Sequence, residues 1–502
     1  MLLTEKYSKD ILGVLSCYDR VIIKGTAGSF GYAGGITTFF YVNKLKIFDF
    51  AKIFTPVTEN IKVNAEKIAS ENSIKIEYIR KSGSFRKDDK IDEIIKTKDL
   101  KEGLVHIFSA LEMSDTYAPW HDKETGKTFF KNDKVKCLHY YFYFIDKEYG
   151  LCFFKVPTVA PYKVQFYMNG HNWLEYKLSK ENIEYKKIDN AFVEISDFKR
   201  AQELSDKPRI EDFHNALDMF AKRYCPIPTE WNIGFNFTIH QVEYALDIIF
   251  KEEASLKPLY ENIIKTAMHT VTPEDIASFL GKRFSILFEG ESGSRYNKRI
   301  LGTRIKHQMG EISVKIYDKF GKVLRIEVTS NDVSQLKTFR DVRKKDGSIV
   351  KENAPVKKSI YSLFFLINIF KGATNRYLEY ISSFNDPTDG FKKIEKITQS
   401  VDENNRNYKG FNFFDKGDEK ILLTIADGKF TLKGMTNKEL RKMLPELKSS
   451  KISRILKRLR LHGIIKKVGK TYKYYLSSLG KQIIVAGLSF KNITLISDLA
   501  KA

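Results

Sequence analysis

Cysteine is scarce in this sequence, and its spacing excludes several classes of small, cross-linked domain. The 502 residues contain four cysteines, Cys17, Cys137, Cys152 and Cys225, which are far apart and form no Cys-x-x-Cys pair. This pattern fits neither a zinc site nor a disulfide framework. We therefore expect buried free thiols in a reducing, cytoplasmic environment.

Long apolar runs are also missing. No stretch of the sequence approaches the roughly 18 consecutive apolar residues of a membrane-spanning helix. The first residues, MLLTEKYSKDILG, lack a charged region followed by an apolar core and a cleavage site, so no export signal is visible. Proline is sparse, at 12 residues, and we find neither an internal repeat nor a low-complexity linker. We expect a cytoplasmic protein without a membrane partner.

Acidic residues are too few to balance the basic ones. The chain has 85 Lys+Arg and 62 Asp+Glu, which gives a formal net charge of +23. A charge of this size indicates a polyanionic partner, and without an isolated basic amphipathic helix nucleic acid is favoured over a membrane surface. Hydrophobic content of 42% is sufficient for packed domains and excludes a mostly disordered chain. We expect DNA or RNA as the partner, with DNA favoured; the sequence leaves the oligomeric state open.

The apolar patterns predict a multidomain α+β protein, because a chain of this length exceeds a single hydrophobic core. Residues 1–130 alternate apolar runs with helical stretches near residues 51–72 and 88–98, as an α/β unit does. Residues 131–340 contain hairpin-like strands such as KCLHYYFYFID and LCFFKVPTV, which predict a central α+β domain on antiparallel sheet, the candidate for catalysis or strand binding. Residues 341–418 are expected to form a mostly helical connecting region, and residues 419–502 a winged helix-turn-helix.

The C-terminal segment has the clearest pattern. Thr436 and Glu439 form a capping-box pair that opens the helix NKELRKMLPE. The next helix, KISRILKRLRLHG, has apolar residues at helical spacing and ends at Gly463. Two alternating strands, IIKKV and TYKYYLS, follow as a β-wing would. In a winged helix the second helix enters the major groove and the wing lies along a phosphate strand.

Basic residues crowd this segment, since residues 429–473 hold 15 lysines and arginines against two acids. A merely solvated face would mix acids with bases, so the imbalance favours contact with DNA or RNA. The alternatives are a solvated helical face and a winged helix that serves protein contacts. The candidate nucleic-acid contacts are Lys448, Lys451, Arg454, Lys457, Arg458, Lys466, Lys467, Lys470, Tyr472 and Lys473.

The segment SKISRILKRLRLHGIIKKVGKTYKYYLS resembles the winged-helix domains of bacterial regulators of the MarR kind. The resemblance covers the last domain only, and it implies a DNA-binding mode rather than the role of the whole chain. As a whole, the chain resembles long bacterial proteins that are labelled MarR-like because of their last domain. That resemblance implies no catalytic residue.

A second informative stretch is GTRIKHQMGEISVKIYDKFGKVLRIEVT, residues 302–329. Strand alternation with an odd-length turn places five polar side chains on one face of a hairpin, namely Lys315, Tyr317, Lys319, Arg325 and Glu327. Cations can hold a phosphate beside a tyrosine nucleophile. A carboxylate can bind a metal ion that polarises this phosphate. The candidate catalytic residues are Tyr317, Glu327, His307, Arg325 and Lys315.

The order Tyr-Asp-Lys followed by Arg-x-Glu resembles paired strands of plasmid and phage rolling-circle replication initiators. These are antiparallel-sheet endonucleases that cut one strand and become joined to it through a tyrosine. The resemblance covers about 30 residues and implies strand cleavage, although the sequence has the lone His307 in place of a His-hydrophobe-His metal motif. The alternative is a two-sided sheet whose polar face contacts phosphate or another domain.

A third cluster lies in FTIHQVEYALDIIF, where His240, Glu243 and Asp247 have helical spacing. We predict a helix with all three side chains on one face. Carboxylates on an otherwise apolar element need a positive partner, which is either a basic residue such as Arg304 or Arg325, or a metal. If it is a metal, the expected ligands are Glu243, Asp247 and Glu327, with the oxygen preference of Mg²⁺ or Mn²⁺.

Two other segments have two interpretations each. Residues 25–35, GTAGSFGYAGG, follow a strand but lack the Gly-Lys-Ser/Thr ending of a nucleotide loop, so we interpret them as a turn and helix entry rather than a phosphate cradle. The segment PYKVQFYMNGHNW contains aromatic side chains for core packing or for base stacking. Those side chains are Tyr162, Phe166, Tyr167 and Trp173.

Together these patterns predict a nucleic-acid-binding protein of mobile-element or replication type. Its winged helix would dock on DNA, and its central domain would carry a metal-dependent or tyrosine-based strand-cleaving site. One alternative is a non-enzymatic winged-helix transcriptional regulator. Another is an RNA-binding component of a ribonucleoprotein.

Overall fold

The chain is a multidomain protein of mixed α and β structure with two compact units. Unit 1 comprises Met1–Tyr7, Lys257–Met309 and Arg376–Ala502, and unit 2 comprises Ser8–Leu256 and Gly310–Asn375. The computed structural model describes residues 2–80, 85–282, 292–299, 302–383, 387–427, 430, 434–469 and 471–489.

The structure can be compared with the expected free thiols and with the expected lack of membrane-spanning segments. The four cysteines are free thiols, and all are buried except the partly exposed Cys137. In the part of the chain that the structure describes, no helix has the length and apolar character needed to cross a membrane.

Helices and strands occur along most of the chain. In chain order, the helices are α1 (Leu3–Lys6), α2 (Ala33–Val42), α3 (Phe50–Glu71), α4 (Lys87–Lys98), α5 (Gly170–Lys180), α6 (Phe198–Ser205), α7 (Ile210–Tyr224), α8 (Glu253–Thr270), α9 (Pro273–Phe279), α10 (Leu363–Ser383), α11 (Pro387–Thr398), α12 (Lys416–Ile425), α13 (Asn437–Met443), α14 (Ser449–Leu461) and α15 (Ser478–Ser489). The strands are β1 (Ile11–Ala27), β2 (Glu77–Tyr78), β3 (Gly103–His121), β4 (Thr128–Asp146), β5 (Gly150–Pro157), β6 (Val164–Asn169), β7 (Tyr185–Ile188), β8 (Ala191–Ile195), β9 (Phe235–Phe250), β10 (Ser292–Arg299), β11 (Gly302–Met309), β12 (Ile312–Lys319), β13 (Val323–Ser330), β14 (Lys337–Arg343), β15 (Ile349–Pro355), β16 (Val401–Glu403), β17 (Arg406–Tyr408), β18 (Ile465–Lys467) and β19 (Tyr474–Leu476).

Unit 2 is built on one large sheet with the strand order β12-β13-β9-β1-β6-β5-β4-β3-β2. Neighbouring strands are antiparallel except for the parallel pair β2 and β3. The prediction of a separate N-terminal α/β unit was wrong, because β1 pairs with β6 and β9 and the expected boundary at residue 130 falls inside β4. Periodicity identifies a strand but does not identify the strands that it pairs with.

Local predictions within unit 2 are confirmed where the pattern was strong. The helices expected near residues 51–72 and 88–98 are α3 and α4, and the expected hairpin is the antiparallel pair β4 and β5. Helix α5, helix α6 and the β7–β8 hairpin pack on the β1–β9–β13 part of the sheet. Their shared core includes Leu15, Leu174, Phe192, Ile249 and Val323. This layer positions the beginning of α5 and the β7–β8 turn above polar side chains of β1, β9 and β13.

The segment FTIHQVEYALDIIF is strand β9 and not the predicted helix. Residues four apart share a face in both structures, so the carboxylate spacing did not distinguish them. The continuous burial of the last nine residues of β9 explains the ambiguity, because a strand that is covered on both faces loses its alternation. His240 lies at a register shift of the β1–β9 pair, because Ile22 pairs with Gln241 and Ile23 with Ile239, and its side chain is exposed.

The predicted hairpin at residues 312–330 is confirmed in its register. A three-residue turn pairs Lys315 with Glu327 and Tyr317 with Arg325, while Ile316 pairs with Ile326 on the apolar face. The turn is tight because Gly321 has a φ of 69°, a conformation that favours glycine. The peptide N–H of Gly321 also donates to Asp318 Oδ1 at 3.1 Å.

The C-terminal part of unit 1 contains helices α12, α13 and α14, followed by the β18–β19 hairpin and α15. The capping box of Thr436 and Glu439 forms as predicted at the start of α13. Helix α14 buries Ile452, Leu456 and Leu459 in the core of this region, which confirms its apolar stripe.

Candidate active site and nucleic-acid interface

A β-bulge brings the first two polar residues of the candidate site together. In the β1–β9 pair, Tyr18 lies opposite Tyr244 and Val21 opposite Val242, so Asp19 and Arg20 both stand against the single residue Glu243. Such a bulge turns an extra side chain to one face of the sheet. Sequence periodicity does not reveal Asp19 or Arg20, since a bulge leaves no periodic signal in a continuous apolar strand.

Strands β12 and β13 supply the other reactive groups. The Tyr317 hydroxyl donates to Glu327 Oε2 at 2.6 Å, and the Lys315 ammonium donates to Glu327 Oε1 at 2.5 Å and to Glu243 Oε1 at 3.2 Å. Arg20 Nε lies 3.8 Å from Glu243 Oε2. The Tyr317 side chain is buried, with 8% exposure, while that of Arg20 is half exposed. The structure therefore brings the predicted Lys315, Tyr317 and Glu327 into direct contact.

Three carboxylates, Asp19, Glu243 and Glu327, form a group that we call the carboxylate cluster. One oxygen atom of each lies within 4.8 Å of the others, so the cluster can hold a metal ion. Its oxygen-only donor set suits Mg²⁺ or Mn²⁺. Among the described residues, Asp19 Oδ2 and Glu243 Oε2 have only long contacts, 3.5 Å to Arg325 and 3.8 Å to Arg20. These two oxygens are therefore the ones best able to accept a cation.

Burial and neighbouring charges set the protonation states in the cluster. Burial raises the pKa of the Glu243 carboxyl, and the charge of Glu327 raises it further. Burial also raises the pKa of the Tyr317 hydroxyl well above its ordinary value, with Glu327 as the second cause. Burial opposes the charge on Lys315, but Glu327 and Glu243 raise the pKa of Lys315 overall. At neutral pH Tyr317 is therefore a protonated hydroxyl beside a charged ammonium.

A second, fully buried network lies beside the cluster. The Arg325 guanidinium donates two hydrogen bonds of 2.6 Å to the two oxygens of Asp247 and a third to the backbone carbonyl of Asn190. His171, at the start of α5, lies 3.2 Å from Asp19 and 3.0 Å from Arg325. These bonds fix Arg325 completely, so it orders the site and does not reach solvent.

The structure separates the predicted metal ligands. The ion-pair alternative is confirmed for Asp247, whose carboxylate is engaged by Arg325, and Asp19 takes its place next to Glu243 and Glu327. His307 belongs to unit 1, where its buried ring contacts Ser294 at 2.7 Å and Tyr377 at 3.0 Å. Burial lowers the pKa of His307 to about 4, so it is a neutral core side chain at neutral pH.

The predicted nucleic-acid contacts of unit 1 divide into exposed and engaged side chains. On α14 and its N-cap, Lys448, Lys451 and Arg454 are exposed, and within the described residues none of them pairs with an acid. We call these three the cationic helix face. Lys457 pairs with Glu403 at 2.6 Å.

The β18–β19 hairpin exposes further predicted contacts. Lys466, Lys467 and Lys473 are exposed, and Tyr472 is 83% exposed with the Lys467 ammonium 5.5 Å from its ring centre. Lys470 lies outside the described residues. The hairpin therefore presents cations together with an accessible ring.

Arg458 is among the predicted nucleic-acid contacts, but its side chain is engaged within unit 1. Its guanidinium donates to both carboxylate oxygens of the buried Asp418, at 2.7 and 2.9 Å, and to the backbone carbonyls of Lys409 and Gly410. It also stacks on Phe411, 3.8 Å from the ring centre. Arg458 therefore stabilises unit 1 and is not free to contact phosphate.

We expect Arg458→Ala to destabilise unit 1 by about 3 kcal/mol, because it leaves the buried Asp418 carboxylate without its partner. Arg454→Ala, on the exposed side of the same helix, is the matched control and should change stability by less than about 0.5 kcal/mol. The measurement is urea unfolding followed by circular dichroism. Equal stability of the two variants would show that the Arg458–Asp418 pair does not hold this region together.

Comparisons with known proteins identify little. No family model and no curated protein matches this chain. Among solved structures, the chain is similar to a rolling circle replication initiator protein from Geobacillus stearothermophilus, with 10% sequence identity and a TM-score of 0.20. The match covers 63% of this chain and 74% of that chain. These values assign neither a family nor a fold, and the resemblance to MarR-like domains stays a prediction.

Proposed function

We propose that this chain is a nucleic-acid-processing protein of the replication or mobile-element type. In this proposal unit 2 cleaves one strand through Tyr317, and the C-terminal part of unit 1 is a winged helix that binds DNA. The observation that carries the proposal is the 2.6 Å hydrogen bond from the Tyr317 hydroxyl to Glu327, next to Lys315 and the carboxylate cluster.

The proposed reaction is a transfer of the phosphate from a sugar oxygen to a tyrosine oxygen. As the Tyr317 oxygen forms a bond to phosphorus, its proton passes to Glu327, and the bond from phosphorus to the leaving sugar oxygen breaks. The Lys315 ammonium, hydrogen-bonded to Glu327, protonates the leaving oxygen and is recharged by the proton on Glu327. A divalent cation held by the cluster would polarise the phosphate during this step.

The docking part of the proposal rests on unit 1. Helix α13, helix α14 and the β18–β19 hairpin follow one another in the order of a winged helix, with the cationic helix face on the second helix. Cations without acidic partners attract phosphate more strongly than cations that are already paired.

We expect the triple variant Lys448→Gln, Lys451→Gln, Arg454→Gln to bind duplex DNA at least about tenfold more weakly than the wild type. Its salt dependence should also flatten, by about 2.7 in the slope of log K against log salt concentration, since each phosphate contact contributes about 0.9. Fluorescence anisotropy over a salt series provides the measurement. The control is a variant that neutralises three exposed lysines of unit 2, Lys52, Lys67 and Lys186. Equal slopes for the two variants would remove α14 as the docking surface.

A non-enzymatic role is the second candidate, and one observation favours it. The carboxylates of the cluster are already engaged by Lys315, Tyr317 and Arg325, and Tyr317 is only slightly exposed, as in a purely structural network. A transcriptional regulator or an RNA-binding component of a ribonucleoprotein would then use the exposed cations of unit 1 for binding alone.

The deciding experiment is incubation of the full chain with labelled single-stranded DNA, duplex DNA and structured RNA, with Mn²⁺ and with chelator. Denaturing gels resolve the products. Metal-dependent cuts, or label retained on the protein, support strand cleavage. Intact substrates together with clear binding would overturn it, and a preference for folded RNA would select the ribonucleoprotein role.

A further inference from the structure

The face of the sheet that carries the carboxylate cluster continues beyond it along β1. After the bulge, Arg20 and Lys24 lie on the same side of β1, opposite Asn169 and Gln165 of β6. The cluster and the neighbouring surface of β6 and β5 therefore share one face of unit 2.

Three lysines surround Gln165 on this face, and we call them the lysine face. Lys24 on β1 and Lys155 on β5 are both cross-strand neighbours of Gln165, which places their backbones about 10 Å apart. Lys163 precedes Gln165 by two residues and projects to the same side. Lys155 and Lys163 each have an acidic partner at 2.6 Å, Glu112 and Asp115 respectively.

Lys24 differs from the other two lysines because it has no ion pair of its own among the described residues. Its side chain is half-buried. Burial lowers the pKa of Lys24, the charge of Lys163 lowers it further, and Lys155 adds to this shift, while the carboxylate of Asp115 opposes it. Crowded, half-buried ammonium groups are costly unless an anion joins them.

Aromatic rings separate the lysine face from the cluster. Phe153 and Tyr167 are stacked with ring centres 5.1 Å apart and an interplanar angle of 8°. The guanidinium of Arg20, which also contacts Glu243, lies 5.7 Å from the centre of the Tyr167 ring. The other aromatics of this segment, Tyr162, Phe166 and Trp173, are buried, so core packing is the confirmed interpretation for them.

A cavity of about 680 Å³ borders the far end of the lysine face. Lys163 and Asp115 line it together with Tyr32 and Lys134. The predicted helix entry lies at this cavity, since α2 begins at Ala33 within the glycine-rich segment and Ala33 lines the cavity. Polar and aromatic groups therefore follow one another from the cavity, over the lysine face and the ring pair, to Arg20 and the cluster.

We propose that this face binds a single strand of nucleic acid, with phosphates at Lys24, Lys155 and Lys163 and a base against Tyr167. Stacking on a ring and contact with lysines along a groove suit unpaired bases, whereas the bases of a duplex already stack on one another. From Lys163 to Tyr167 the strand rises by about 13 Å, which is room for two or three nucleotides. The direction of the bound strand, toward Tyr317, rests on the proposed function, but the binding itself does not.

The test measures binding of the full chain to fluorescein-labelled oligothymidylate of 15 nucleotides in chelator, so that cleavage plays no part. We expect Lys24→Gln, Lys163→Gln to weaken binding at least about tenfold and to flatten the salt slope by about 1.4. Tyr167→Leu should weaken it by about tenfold through loss of stacking. A variant with the same charge change, Lys67→Gln, Lys186→Gln, is the control, and oligouridylate of equal length shows whether the site prefers RNA.

Each outcome separates this inference from the proposed function. Affinity of the lysine-face variant equal to that of the control, with an unchanged melting temperature, would overturn the inference even if the wild type cleaves DNA. Loss of affinity without any cleavage by the wild type would support the inference and overturn the cleavage proposal. Photocrosslinks from 5-iododeoxyuridine that map to Tyr167 or Phe153 support it independently, and crosslinks confined to unit 1 contradict it.

Discussion

Tyr317→Phe is expected to abolish the covalent adduct between the protein and a cleaved strand, with a loss of at least about a thousandfold in rate. The change removes only the oxygen that forms the new bond to phosphorus, and the ring keeps its packing. Affinity for the uncut strand should stay within about twofold of the wild type, because the Tyr317 hydroxyl donates its hydrogen bond to Glu327. The measurement is retention of a labelled strand on denatured protein after incubation with Mn²⁺.

Tyr41→Phe is a matched control for this prediction. This variant also removes a tyrosine hydroxyl from unit 2, and that hydroxyl donates to the backbone carbonyl of Thr128 at 2.6 Å. Tyr41 belongs to helix α2 and not to the strands that carry Tyr317 and the carboxylate cluster. The control should retain the adduct. An adduct that persists in Tyr317→Phe would place the nucleophile elsewhere and reduce Tyr317 to a buried hydrogen-bond donor.

Arg325→Met is expected to lower the free energy of unfolding of unit 2 by about 3–5 kcal/mol, the cost of leaving a buried charge without its partner. Arg325 is fully buried, and Asp247 would keep neither of its 2.6 Å hydrogen bonds from the guanidinium. The chain contains three tryptophans, Trp120, Trp173 and Trp231, and all three lie in unit 2. Tryptophan fluorescence during urea unfolding therefore reports on this unit alone.

The double variant Arg325→Met, Asp247→Leu is the informative control. Because it removes both charges, it should lose less stability than the sum of the two single variants, by about 1–3 kcal/mol. Additive losses would show that the two side chains act independently and that the Arg325–Asp247 pair does not organise the site. Arg458→Ala, which lies in unit 1, should leave the tryptophan signal unchanged.

Strands β12 and β13 are where the sequence predicted the structure best. The alternation of apolar residues and an odd-length turn were sufficient to predict that Lys315 faces Glu327 and Tyr317 faces Arg325. Both pairings lie within one local hairpin. Once the turn length is known, the side-chain period of two determines the face of the sheet on which each side chain lies. The prediction did not extend to the roles of these residues, because the same face contains the proposed reactive pair of Tyr317 and Glu327 and the closed ion pair of Arg325 and Asp247.

The neighbouring strands show the limit of local patterns. Asp19 and Glu243 meet across strands that are more than 200 residues apart in sequence, at a bulge that periodicity does not reveal. On the cationic side, Arg454 and Arg458 look equivalent in the sequence of α14. Their difference depends on Asp418, which is 40 residues away in the chain.

The sequence by itself determined the basic character of the chain, the free cysteines, several helices and the local hairpins, since each follows from composition or from contacts between near neighbours. Only the tertiary structure decided that β1 joins β9 and β6, that β9 is a strand, that Asp19 replaces Asp247 in the carboxylate cluster, and that the lysine face adjoins it. These are long-range pairings, and their free energy comes from burial and ion pairing between segments that a local pattern cannot relate.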